Sequence, residues 1–175
     1  MIKRNFTYID KETLLLLYKG LIRPTLEYGN VIWAPFLKRQ SSEIEKIQRR
    51  ATKLIPELKD KPYEERLRLL KLPSLKARRT RGDLIQCYKI FRQIDDININ
   101  YLFSPAKSQS TRNNTDKIFI QFSKLNIRKY CFTNRVAPIW NSLPAEIKNA
   151  PSTNSFKTHI DNWKVYNNMM YLYDE

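Results

Sequence analysis

Apolar positions recur at intervals of three and four residues along most of this chain, the spacing of one buried helix face. The first such stretch holds Leu14, Leu17, Tyr18 and Leu21. It lies behind Asp10, whose carboxylate can cap the helix start, with Glu12 in the first turn. Pro24 lacks the N–H that the helical ladder needs, so the pattern predicts a second piece over 25–33, set at an angle and ended by Pro35. Leu26, Ile32 and Trp33 are its expected apolar contacts. Ser42 followed by Glu45 has the spacing of a capping box, and Ile44, Ile47, Ala51, Leu54 and Ile55 form an apolar stripe that ends at Pro56. A short helix is predicted from Pro62 through Leu67, Leu69 and Leu70, closed by Pro73. From Leu75 to Ile94 the pattern predicts a long helix. Its first half is basic, and after Gly82 one face turns apolar at Leu84, Ile85, Tyr88 and Phe91.

The period then stops. Between Ser104 and Asp116 the chain is rich in Ser, Asn and Thr, which predicts an exposed loop. Ile118, Ile120 and Phe122 alternate along 117–124, and a return over 125–128 would complete a small β-hairpin. Helical spacing resumes over 128–141, with Phe132, Val136, Ile139 and Trp140 on the inner face and Pro138 bending or splitting the helix. Pro144 and Pro151 bound a connector. Ser152 or Thr153 then caps a last helix that turns Phe156, Ile160 and Trp163 inward, and from Tyr166 onward no packing signal remains. The pattern as a whole predicts a mainly α fold: a helical bundle over 1–96, a polar connector over 97–116, and a small α+β extension over 117–175.

Composition narrows the classes. With 175 residues, 42% of them hydrophobic, the chain can bury one sizeable core or two small ones. No apolar run, the four leucines Leu14 to Leu17 included, approaches the roughly 20 residues of a membrane span, so neither a span nor a secretory signal is expected. Charge changes the picture more. Lys plus Arg number 32 against 17 Asp plus Glu, a net +15 that self-repels unless a polyanion offsets it. Between Lys38 and Arg92 lie 17 basic and 7 acidic residues, which places +10 of that charge in the middle third.

Two clusters make the candidate nucleic-acid-binding residues. Lys46, Arg49, Arg50 and Lys53 stand at i, i+3, i+4 and i+7 and so share one strip of their helix, while Lys76, Arg78, Arg79 and Arg81 open the next long helix. Few acids interleave, so the reading is a single phosphate-gripping surface rather than a solvated helix face. An acidic protein partner would meet the same electrostatics. Tyr28, Trp33 and Trp140 have apolar neighbours and are expected as core anchors rather than base-stacking groups. Asp83 is expected to pair with Arg79 or an adjacent arginine of its own helix, and Asn141 and Ser142 to cap a helix end. Cys87, Cys131 and His159 are too scattered for a zinc site, and no cofactor or metal is expected. Ile94-Asp95-Asp96 has polar flanks, unlike the apolar strands around a carboxylate pair that holds catalytic metal ions.

Five stretches together carry a family resemblance. They are LYKGLIRPTLEYGNVIWAP (17–35), IEKIQRRATKLI (44–55), YEERLRLLKLPSL (63–75), RRTRGDLIQCYKIF (78–91), and FTNRVAPIWNSLP (132–144) followed by Phe156. Their order and spacing, from about Tyr8 to Trp163, resemble the region downstream of the polymerase palm in jockey-like, LINE-type (non-LTR) retrotransposon reverse transcriptases. The resemblance implies that the helices up to Asp96 are thumb-like and lie against an RNA or RNA/DNA template-primer duplex, with the missing palm as a further partner. It implies a nuclear and cytoplasmic protein without polymerase activity of its own, because the family's catalytic carboxylates lie upstream of these stretches. A chain that opens just before the thumb-like helix would fit the truncated copies common in that family.

Overall fold

A computed structural model describes residues 10–104 and 117–163 together with Tyr166, Asn168 and Met170. The fold is mainly α, with no β-strand among the described residues. One compact unit comprises the described residues up to Arg79 together with Asn168 and Met170, and a second runs from Thr80 to Tyr166. No helix among the described residues is long and apolar enough to cross a membrane.

In the first unit, Asp10 accepts from the Thr13 N–H at 2.6 Å and starts α1 (Lys11–Leu17). Pro24 does not break the chain there. A π-helical turn, Tyr18–Ile22, precedes it, with the Arg23 N–H donating to the Tyr18 carbonyl, and α2 (Arg23–Glu27) follows with Pro24 in its first turn. The wider turn accommodates a residue that donates nothing and whose ring crowds the preceding carbonyls. Gly29 takes a left-handed φ of 62° before α3 (Asn30–Trp33), where a Cβ would also lie 3.4 Å from the Trp33 ring. Tyr28 and Trp33 are not the core anchors expected of them: they are 85% and 42% exposed. Trp33 folds back on its own turn, its indole N–H donating to the Tyr28 carbonyl.

Helix α4 (Lys38–Thr52) begins a full turn before Ser42, so the capping box is not used. It also buries a different face. Glu45, Gln48, Ala51 and Thr52 are buried while Ile47 is exposed, a rotation of about one residue from the apolar stripe. Ala51 and Ile55 still join Leu14, Tyr18, Leu58, Tyr63, Leu67, Leu70 and Leu72 in the core. The polar members are satisfied by specific partners. Glu45 accepts from the Tyr63 hydroxyl at 2.5 Å and from the Leu75 N–H at 3.1 Å, while Gln48 donates to the Tyr63 oxygen at 3.1 Å and the Pro73 carbonyl at 3.0 Å and accepts from the Tyr18 hydroxyl. A 3-10 turn (Pro56–Leu58) leads to α5 (Tyr63–Leu70), and Glu45 caps the start of α6 (Leu75–Phe91), where a carboxylate meets the positive end of the helix.

The second unit holds the rest of α6 with α7 (Ile99–Leu102), α8 (Asn126–Lys129), α9 (Phe132–Ser142), α10 (Ala145–Lys148) and α11 (Thr153–Asn162). Its core is built on rings. Tyr88 stacks on Phe156 at 4.2 Å and Phe91 on Trp140 at 4.8 Å, with Phe103 tilted against Phe91 at 5.6 Å. Pro138 lies within α9 without splitting it, and Ser152 caps α11 as its position predicts. The hairpin does not form in the described residues. The stretch 119–125 is irregular, Phe122 is 87% exposed, and the return segment is the helical turn α8. Instead of a second strand, the Asn141 side chain pairs with both backbone groups of Ile118, accepting from its N–H at 2.9 Å and donating to its carbonyl at 2.8 Å. Asn141 is therefore a tertiary tie rather than a helix-end cap, whereas Ser142 donates to the Ile139 carbonyl in the last turn of its own helix. The expected loop is described only at Ser104; residues 105–116 lie outside the described residues, as does most of the tail.

Candidate nucleic-acid interface

Because α4 turns Glu45 and Gln48 inward, its opposite side presents Lys46, Arg50 and Lys53 to solvent, with Arg49 half-buried at the edge. The turn before α5, and α5 itself, face this strip across an open concavity of about 730 Å³. Seven cations line it: the four of the α4 strip and Lys59, Lys61 and Arg66. Only two carboxylates, Asp60 and Glu64, lie among them. Lys46 pairs with Glu43 at 2.6 Å and Lys61 with Glu65 at 2.5 Å, both at exposed positions where such pairs contribute little. Arg50, Lys53, Lys59 and Arg66 make no ion pair among the described residues. The groove therefore keeps a strong positive field.

Tyr63 forms a platform at its base. The guanidinium carbons of Arg49 and Arg66 lie 4.9 Å and 5.4 Å from the ring centroid, and Arg66 donates to the Arg49 carbonyl at 3.0 Å. Burial, reinforced by the Glu45 charge, pushes the Tyr63 hydroxyl far above its ordinary pKa, so it stays a neutral donor to Glu45. Burial likewise raises the Glu45 carboxyl, against the hydrogen bonds from Tyr63 and Leu75 that favour its charged form. Arg66 is lowered by burial and by its neighbour Arg49, although a guanidinium remains charged in any such setting.

The second predicted cluster does not join this groove. Lys76 is exposed, but Arg78 makes a two-pronged pair with Glu27, one contact at 2.8 Å, and Arg79 is 6% exposed with its Nη2 donating to Ser41 at 2.8 Å. Arg81 grips Asp161 at 2.7 and 2.8 Å. Acceptors from distant segments hold Arg78, Arg79 and Arg81, and none of the three lines the groove. Asp83 pairs with Arg135 of α9, twice at 2.8 Å. Lys59, Lys61 and Arg66 were missed by the periodicity. Their signal was local, a run of charge around a proline turn, and it gave no sign of which side the turn would face.

Asp95 accepts from Gln86 at 2.7 Å and stands 3.7 Å from Lys89. No group of three or more His, Cys, Asp or Glu side chains placed to hold a metal ion occurs among the described residues. Cys87 and Cys131 are free thiols; Cys87 is fully buried, and burial pushes its thiol pKa well up. Comparison with protein-family models, with curated proteins and with solved structures gave no match.

Proposed function

We propose that this chain grips nucleic acid through phosphates, with little sequence preference, as the thumb-like, post-palm part of a LINE-type reverse transcriptase. One observation carries the binding reading: a concavity with seven cations and two carboxylates, four of those cations without an ion pair among the described residues. Sequence-independent binding depends on this kind of field, because each neutralised phosphate releases counterions. The retroelement ancestry rests on the five resembling stretches, and the mainly α fold agrees with a thumb. The partner is an RNA or RNA/DNA duplex in the nucleus or cytoplasm, and this chain performs no polymerisation by itself.

A salt titration of duplex binding is the test. Arg50→Ala and Lys53→Ala remove exposed side chains, so each variant should stay within about 0.5 kcal/mol of the parent's stability. Each should weaken binding equally for unrelated sequences and lower the log-log salt slope by about 1. Arg81→Ala should leave the slope unchanged, since Arg81 is held by Asp161. Folded Arg50 and Lys53 variants with undiminished affinity and slope would make the groove a solvated face, and an acidic protein partner would become the leading reading.

A further inference from the structure

The rim and the floor of the groove differ. At the rim, Arg50, Lys53 and Lys59 are exposed and hydrated, suited to tracking a backbone. The floor contains Arg66, a cation only 2% exposed that still lines the concavity. Among the described residues its one acceptor is the Arg49 carbonyl; its Nε is shielded and meets none. A guanidinium has five N–H donors, and a buried one is costly unless anions or acceptors surround it. Here the neighbour on the same tyrosine ring is a second guanidinium, that of Arg49, and like charge makes the arrangement less favourable still. An anion beside Arg66 would satisfy its free donors and offset its charge.

We propose that Arg66 and Arg49, gathered on Tyr63, form a site for the terminal phosphate of a nucleic-acid strand; this rests on the nucleic-acid reading of the groove. A phosphodiester within a strand carries one negative charge and has sugar on both sides, so it suits the open rim. A terminal phosphomonoester carries nearly two charges and three acceptor oxygens, and it projects from the strand end into a concavity. The cations of the rim then hold the backbone that follows it.

The experiment compares the full chain binding matched duplexes that differ only in a 5′-phosphate or a 5′-hydroxyl, in one salt. The phosphorylated duplex should bind about tenfold tighter, the value of one charge-assisted contact set. That preference should shrink as pH falls through about 6, where the phosphomonoester loses its second charge and the diesters do not change. In Arg66→Lys, which keeps a cation beside the last turn of α4 but loses the planar fork, the preference for the phosphorylated duplex should collapse. Equal affinity for the two duplexes, or a preference unchanged by pH, would overturn the terminal-phosphate site and leave the phosphate grip standing. Failure of both duplexes to bind would overturn both. The pH arm uses the unmodified chain, so a variant that fails to fold does not decide the outcome.

Discussion

In the first unit, α4 meets α5 and the start of α6 through hydrogen bonds: Tyr63 to Glu45, Gln48 to the Pro73 carbonyl, Glu45 to the Leu75 N–H. In the second, α6, α9 and α11 meet through Phe91 on Trp140 and Tyr88 on Phe156. Arg81 and Arg135 of the second unit end on Asp161 and Asp83, as Arg78 of the first ends on Glu27, whereas Arg50, Lys53 and Lys59 of the groove end in solvent. A polar joint is directional, so it fixes how α4 is rotated about its axis and therefore which side faces outward. Apolar packing alone tolerates many rotations. The cost is a buried carboxylate; the consequence is a strip of cations held toward one groove.

Three measurements would break or sharpen that contrast. The largest effect is expected in the ring-built core: Trp140→Ala should destabilise the second unit by about 3–5 kcal/mol in urea unfolding followed by near-UV circular dichroism, because the void cannot close around stacked neighbours. A loss below 1 kcal/mol would show that the rings do not organise that core. Next comes the Asp83–Arg135 pair. Arg135→Ala should lose about 3 kcal/mol by removing the guanidinium that donates twice to Asp83, itself 6% exposed, and adding Asp83→Asn should restore part of it. A double-mutant cycle with no coupling would refute a structural role for this pair.

The smallest effect is a pH dependence at Glu45. Its folded pKa is raised above the ordinary 4.5 by burial, so the folded state favours the protonated form. The stability this adds is fully present below about pH 4.5 and is lost as pH rises through the folded pKa. Glu45→Gln cannot titrate, so the urea midpoint of the parent relative to this variant should fall as pH rises above about 4.5. A difference that grows over that range would mean that the hydrogen bonds from Tyr63 and Leu75 outweigh burial.

The sequence by itself determined the mainly α class, the caps at Asp10 and Ser152, and the core roles of Trp140, Phe156 and Ile160, because each depends on neighbours within a few residues or on one helical face. It also placed Lys46, Arg49, Arg50 and Lys53 on one strip, since helical spacing alone does that. Tertiary structure decided which charges face outward. Arg78 and Glu27 are 51 residues apart and Arg81 and Asp161 are 80 apart, so no local pattern shows that those arginines are occupied. The same holds for Glu45, which reads locally as a surface capping residue and is drawn inside by Tyr63 and the start of α6. Asn141 replaced an expected strand because its amide carries a donor and an acceptor at the spacing of the Ile118 backbone. A side chain's charge is local information, whereas its role depends on whether an acceptor arrives from elsewhere in the chain.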